Sequence, residues 1–206
     1  MTELTGTNNQ ILLCGSVAAP PRLSHRNREE DFYIFPLEVQ RLSGATDVLN
    51  ILARKRLLEE LEVEPAEKLR VLGQVRSFNN KSGVGARLVI SVFARELAFA
   101  SGEDENLVRL RGTLCKPPTL RQTPMGREIS DLMVAVNRRY GRSDYIPCIA
   151  WGAQAHAASA LHVGDGVSLE GRLQSRVYLK TMDGVALEKT AYELSLSHLE
   201  LVEPGL

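Results

Sequence analysis

Apolar and polar positions in this chain alternate in short runs rather than in long helical stripes. Ile11-Leu-Leu-Cys-Gly-Ser-Val17 is rich in strand-forming residues and is stopped by Ala18-Ala-Pro-Pro21, which predicts a strand and its end. A second strand is predicted over Phe32–Val39, and the charged stretch Ser24–Asp31 between the two reads as a solvated hairpin loop. Asp47–Ala53 predicts a third strand, and Lys55-Arg-Leu-Leu-Glu-Glu-Leu61 has its apolar residues spaced for a short amphipathic helix. Lys68–Val75 and Arg87–Phe93 complete five strands, joined through Asn79-Asn-Lys-Ser-Gly83; Phe93 is expected in a core.

The same plan then occurs a second time. Gly15 and Gly112, Pro20 and Pro117, Pro21 and Pro118, Arg41 and Arg138, and Asp47 and Asp144 are each 97 positions apart, and Gly73 and Gly171 are 98 apart. Shared strand propensity alone would not align glycines, prolines and charges, so the chain reads as a tandem duplication. The polar stretch Ala100–Glu105 is the predicted linker. In the second copy a helix is predicted over Ala153–Leu161, stopped by Gly164-Asp-Gly166. A strand over Val167–Leu173, a hairpin turn at Met182-Asp-Gly184 and an alternating strand over Tyr192–Leu201 follow. Five short strands with a helix after the third is the plan of an oligonucleotide-binding (OB) barrel. The expected fold is all-β with short helices: two tandem five-stranded OB barrels over residues 1–100 and 106–206.

Composition changes this picture little. A chain of 206 residues can hold two domains that each bury a core. Lys plus Arg and Asp plus Glu are both 25, so no net charge announces a nucleic-acid partner. The distribution says more. Arg109, Arg111, Lys116, Arg121, Arg127, Arg138, Arg139 and Arg142 face only Glu128 and Asp131 in that stretch, and Tyr140, Tyr145 and Trp151 are set beside the last three arginines. This is a basic surface with aromatics in it. Cys14, Cys115 and Cys148 are odd in number and form no Cys-x-x-Cys pair, which predicts free thiols in a reducing compartment rather than disulfides or a zinc site. The start Met-Thr-Glu-Leu-Thr-Gly carries no basic, then apolar, leader, and no run reaches membrane-spanning length; a cytoplasmic protein is expected.

Asn106-Leu-Val-Arg-Leu-Arg-Gly, Leu120-Arg-Gln-Thr-Pro-Met-Gly, Val134-Ala-Val-Asn-Arg-Arg-Tyr, Asp144-Tyr-Ile-Pro-Cys-Ile-Ala-Trp-Gly and Glu170-Gly-Arg-Leu-Gln-Ser-Arg stand in fixed order and spacing. In this the second copy resembles the OB domain of bacterial single-stranded DNA-binding proteins. The resemblance implies a non-enzymatic, cofactor-free and metal-free protein. It would bind and protect single-stranded DNA irrespective of sequence during replication, recombination or repair, in association with the nucleoid. It places the stacking aromatics at Tyr140, Tyr145, Trp151 and Tyr178. Unpaired bases expose apolar faces on which such rings stack, at roughly 1–3 kcal/mol per base, while cations hold the phosphates in a salt-dependent way. The expected phosphate contacts are Arg111, Arg121, Arg138, Arg139, Arg142, Arg172, Arg176 and Lys180.

The first copy departs from the pattern. Ser43, Val48 and Arg54 stand where the second copy has Tyr140, Tyr145 and Trp151, and only Phe78 lies near the place of Tyr178. It is expected to be a weaker, mainly electrostatic surface (Arg41, Arg54, Lys55, Arg56, Arg76, with Phe78) or an assembly domain. Family members usually continue into a flexible acidic tail ending in Pro-Phe; only Val-Glu-Pro-Gly-Leu206 follows Leu201, so recruitment by that route is not expected. They also present four OB domains to one strand, which for a two-domain chain implies a homodimer.

Other readings of these residues stay open. A lone Trp in a small barrel is more often core than ligand surface, and Arg138-Arg139 alone would be an ordinary turn. Cys148 reads as a small buried hydrophobe, and His156, among alanines, as a surface helix residue. Gly83-Val-Gly85 and Gly164-Asp-Gly166 lack the Lys-Ser/Thr of a phosphate loop and read as turns. A protein-interaction or primosome-type OB module with weak nucleic-acid binding is the alternative function, since fold alone does not decide it. An enzyme such as a nuclease would need a carboxylate cluster or a metal set that the sequence lacks.

Overall fold

A computed structural model describes residues 8–80, 87–182 and 185–203. The Gly83-Val-Gly85 loop, the Met182-Asp-Gly184 turn residues 183–184 and the side chain of Lys180 lie outside the described residues. The chain forms two compact units that do not follow a single cut in sequence. One comprises Ile11–Asn106 with Gln174–Tyr192; the other comprises the described residues of Met1–Gln10, Leu107–Leu173 and Glu193–Leu206.

The first repeat supplies β1 (Asn9–Val17), β2 (Arg22–Asn27), β3 (Glu30–Gln40), β4 (Thr46–Arg54), α1 (Lys55–Glu59), β5 (Lys68–Asn79) and β6 (Leu88–Phe99). β1 pairs with both β3 and β5, β3 with β4, β5 with β6, and β4 runs parallel to β6 at Ile51↔Val92, which closes the barrel. The second repeat supplies β7 (Glu105–Leu114), β8 (Thr119–Gln122), β9 (Glu128–Asn137), β10 (Ser143–Trp151), α2 (Ala153–Ser159), β11 (Gly166–Met182) and β12 (Val185–Val202). It closes in the same order, with β10 parallel to β12 at Cys148↔Leu194. The chain therefore contains two OB-fold barrels, as its sequence predicts.

Closure explains the aligned glycines. A Cβ on Gly15 would run into the carbonyl oxygen of Glu38, and one on Gly112 into that of Ala135, because β1 and β7 each cross close to a second strand there. The period-two apolar residues fill the interiors. Ile11, Leu13, Phe35, Leu37, Leu49 and Ile51 are fully buried in one barrel, and Val134, Val136, Ile146 and Leu169 are buried in the other. α2 is seated by buried Ala155 and Ala158, whereas α1 buries no residue. The one-residue slip in the repeat falls where these helices begin: β4 and β10 end 97 positions apart, at Arg54 and Trp151, and α1 and α2 start 98 apart, at Lys55 and Ala153.

Four local features differ from the sequence reading. Ser24–Asp31 is not simply a loop: Arg22–Asn27 is an edge strand paired with β3. All six of its side chains are exposed, so no apolar face marks it in sequence. The equivalent β8 is exposed throughout as well, and each repeat thus has five barrel strands plus one short edge strand. Phe93 is half-buried rather than in the interior, which Phe35 fills instead. β11 and β12 run on past the predicted ends, and it is their outer parts, Gln174–Tyr192, that belong to the first repeat's unit. The linker is pinned rather than loose. Asp104 accepts from Lys68 Nζ at 2.7 Å and from the Gln40 backbone N–H at 2.6 Å, and this partner raises the lysine's pKa.

Candidate nucleic-acid interface

β10 carries the centre of the site. Strand side chains alternate between faces, so Tyr145 and Trp151, six residues apart, share the outward face about 20 Å from one another. Tyr145 is 43% and Trp151 36% exposed, although the residues between them include buried Ile146, Cys148 and Ala150. The Trp151 indole N–H donates to Ser195 Oγ on β12 at 2.9 Å, which fixes the ring's orientation. Ahead of β10, the chain turns through a short 3-10 segment, Arg139–Gly141, closed by Arg138 N–H donating to Arg142 O at 2.7 Å. Tyr140 sits there with φ 65° and is 96% exposed. Tyr140 thus adopts left-handed backbone, uncommon for a bulky residue, and presents its ring to solvent. Of the four predicted stacking residues, these three lie in the second repeat's unit. Tyr178, half-buried with Arg176 5.6 Å from its ring centroid, belongs to the other.

The predicted cations divide into two groups. Arg138 forms a two-pronged pair with Asp144, whose carboxylate is 0% exposed, and Arg41 forms the same pair with Asp47 in the first repeat at 2.5 and 2.8 Å. Both brace the turn between the second and third barrel strands. Arg121 is paired with Asp131, Arg54 with Glu30 at 3.1 Å, and Lys55 with Glu59 at 3.3 Å. Arg76 is half-buried and donates to Gln74, and Arg111 donates to the Glu203 carbonyl at 3.2 Å. Arg139, Arg142, Arg172, Arg176 and Arg56 are exposed. Arg139 and Arg142 flank Tyr140 directly, which makes them the cations best placed beside an exposed ring. The carboxylates that hold Arg41 and Arg138 are not evident in the sequence, although both pairs repeat with the same offset.

In the first repeat the edge of the matching strand is bonded by another segment. β6 pairs with β4 only at Ile51 and Leu52, so the other edge of β4 is open further back. Ser175 meets it there: its Oγ accepts from Val48 N–H at 2.9 Å, its N–H donates to Asp47 Oδ1 at 2.7 Å, and its carbonyl accepts from Arg41 at 3.1 Å. Tyr192 Oη accepts from Asn50 Nδ2 at 3.0 Å, and burial raises its pKa. Ser175 and Tyr192 thus bond along the β4 edge at Asp47, Val48 and Asn50, while the Val48 side chain stays 39% exposed. Phe78, 56% exposed on β5, remains available.

Among the described residues no group of three or more His, Cys, Asp or Glu could hold a metal ion, and no helix is long and apolar enough to cross a membrane. The three cysteines are free thiols whose pKa values burial raises, most of all for Cys148 in the second core. His156 is exposed on α2 and bonded to Glu128 Oε2 at 2.7 Å.

A double OB barrel with exposed aromatics on the third barrel strand of its second repeat defines a class of tandem OB-fold proteins. Residues 105–202 match the single-strand binding protein family. It is 35% identical over 106 residues to the single-stranded DNA-binding protein of Bacillus cereus, covering 48% of this chain and 61% of that one. It is 39% identical over 80 residues to single-stranded DNA-binding protein A of Bacillus subtilis, covering 35% and 46%. The chain thus spans about three fifths of the length of the Bacillus cereus relative it matches. The fold of the whole chain matches the crystal structure of the wild-type single-stranded DNA binding protein from Thermus aquaticus with a TM-score of 0.78, at 23% identity over 98% of this chain and 96% of that one.

Proposed function

We propose that this chain binds single-stranded DNA irrespective of sequence, without catalysis, and protects it during replication, recombination or repair at the nucleoid. The observation that carries the reading is the exposed pair Tyr145 and Trp151 on one strand of the barrel, inside the segment that matches the family. Bases stack on Trp151, Tyr145 and Tyr140, and Arg139 and Arg142 hold the phosphates on either side of Tyr140. Exposed Phe78 and half-buried Tyr178 add aromatic surface in the other unit. Arg41 and Arg138 act by bracing their turns.

Trp151 is the chain's single tryptophan, so its fluorescence reports this site alone. Titration with oligo-dT is expected to quench it saturably, and affinity should fall linearly with the logarithm of salt concentration. An unchanged signal, with no binding of labelled oligo-dT by anisotropy, would refute the reading in favour of a protein-interaction module. Tyr140→Gly gives a sharper test. It relieves a left-handed backbone worth about 1–2 kcal/mol at a non-glycine residue, so stability should hold or rise while oligo-dT affinity drops.

We further propose that the chain is a homodimer presenting four OB domains. A strand held on one domain meets the next at high effective concentration, so modest contacts multiply. Light scattering is expected to give about twice the chain mass of 22.8 kDa; a mass of one chain at micromolar concentration would overturn the dimer.

A further inference from the structure

The first repeat carries an aromatic stack that its sequence offset from the second repeat does not reveal. His25 lies on Phe32 with ring centroids 4.8 Å apart and planes 3° from parallel. Phe32 in turn meets Phe93 at 6.3 Å, and the Arg54 guanidinium sits 5.3 Å over the Phe93 ring. None of this has a counterpart in the second repeat, where Gln122, Ile129 and Trp151 stand at the positions of His25, Phe32 and Arg54. A register shift between Leu23 and His25 in the β2–β3 ladder produces the geometry. The extra residue, Ser24, is a bulge that turns the next side chain onto the neighbouring strand, and bulges of this kind re-aim side chains at sites.

The two faces of the His25 ring are in different surroundings. One rests on Phe32, which is buried and held by the barrel; the other is open, because His25 and every residue of β2 are exposed. A flat ring backed by a rigid aromatic, with one open face, is what a nucleobase stacks on. Nearby charge favours an anionic backbone. Asp31 is paired with Arg26 at 2.6 Å and Glu30 with Arg54, while Arg22 and Arg28 are exposed on the same hairpin against Glu29. The equivalent of the second repeat's Tyr145 is Val48 and that of Trp151 is Arg54, neither of them aromatic, so a strand reaching this repeat needs another stacking ring.

We infer that His25, backed by Phe32, is a base-stacking subsite for single-stranded DNA on the first repeat, placed on the edge strand β2 rather than on β4. The inference rests on the proposed single-strand binding and extends it to the unit that lacks the family's aromatics.

The test uses the full chain and oligo-dT of about 32 nucleotides, twice the upper site size of one OB fold. Trp151 quenching in the unchanged protein establishes single-strand binding by itself; without it the proposed function fails before this subsite is at issue. Given quenching, His25→Ala is expected to weaken binding roughly tenfold, within the range for one lost stack. His25→Tyr should bind like the unchanged protein, and His25→Lys should not recover the loss. Ultraviolet cross-linking to the same oligonucleotide should place an adduct on residues 22–30, and loss of the Phe32 contact should cost no more than about 0.5–1.5 kcal/mol of stability in any variant, so all three stay folded during the titration. Unchanged affinity in His25→Ala, full binding by His25→Lys, or adducts confined to the second repeat would each overturn the subsite.

Discussion

Asp144→Ala is expected to lower the unfolding free energy by about 3 kcal/mol, the lower end of the cost of breaking a buried ion pair. The carboxylate is 0% exposed and takes both prongs of Arg138; removing it leaves a guanidinium without its counter-charge. Arg138 is 26% exposed, so its head can turn partly to water, which is why the lower end applies. The pair also holds the start of the turn that carries Tyr140, since the Arg138 N–H closes that turn onto Arg142 O. Loss of oligo-dT affinity should therefore accompany the loss of stability. Urea unfolding monitored by Trp151 measures the first; a shift under about 1 kcal/mol, the size of an exposed pair, would show that the guanidinium is already solvated. In the first repeat the same change at Asp47 removes an acceptor for the Ser175 N–H as well, so it loosens residues 174–192 in addition to the turn.

This pair also shows where sequence reading stops. Arg41 with Asp47, and Arg138 with Asp144, keep a common offset because the turn needs both partners, yet in sequence the arginines read as phosphate contacts. Charge along a sequence does not disclose a partner six residues away across a hairpin. The glycines are more legible, because Gly15 and Gly112 answer a constraint that any barrel of this closure imposes. β2 is hidden in the sequence because strands are recognised by one buried face and it has none. The family's aromatic positions can be read one by one, but which unit each belongs to cannot. Tyr178 sits beyond the point where β11 passes from one unit to the other, a fact of tertiary packing that leaves no local mark. That exchange also argues against dissecting the chain at residue 104. A fragment from there on would carry Ser175 and Tyr192 without the β4 edge they bind, and its behaviour would report the cut as much as the site.

The full chain with Trp151→Ala and Tyr145→Ala together is expected to lose about 2–6 kcal/mol of oligo-dT binding, the sum of two stacks. Addition is justified by their separation of about 20 Å along β10, beyond the range in which substitutions couple through shared neighbours. Tyr145 is 43% and Trp151 36% exposed, so the substitutions remove packing against the barrel as well as surface open to DNA. The single protein bond broken at Trp151 is the indole N–H to Ser195 Oγ, worth about 0.5–1.5 kcal/mol at most and replaceable by water. Unfolding should move as well, so binding is compared under conditions where urea unfolding shows the variant folded. Because the variant has no tryptophan, anisotropy of a labelled oligonucleotide is the readout, and its salt dependence separates stacking from phosphate binding. Removing rings should leave the slope of log affinity against log salt unchanged, whereas Arg139→Ala with Arg142→Ala should reduce it by about 0.7 for each phosphate no longer neutralised. If the ring variant instead flattens the slope, the aromatics were positioning cations rather than stacking bases. If it binds within about twofold of the unchanged protein, well short of a single stack, the β10 surface is not where the strand lies.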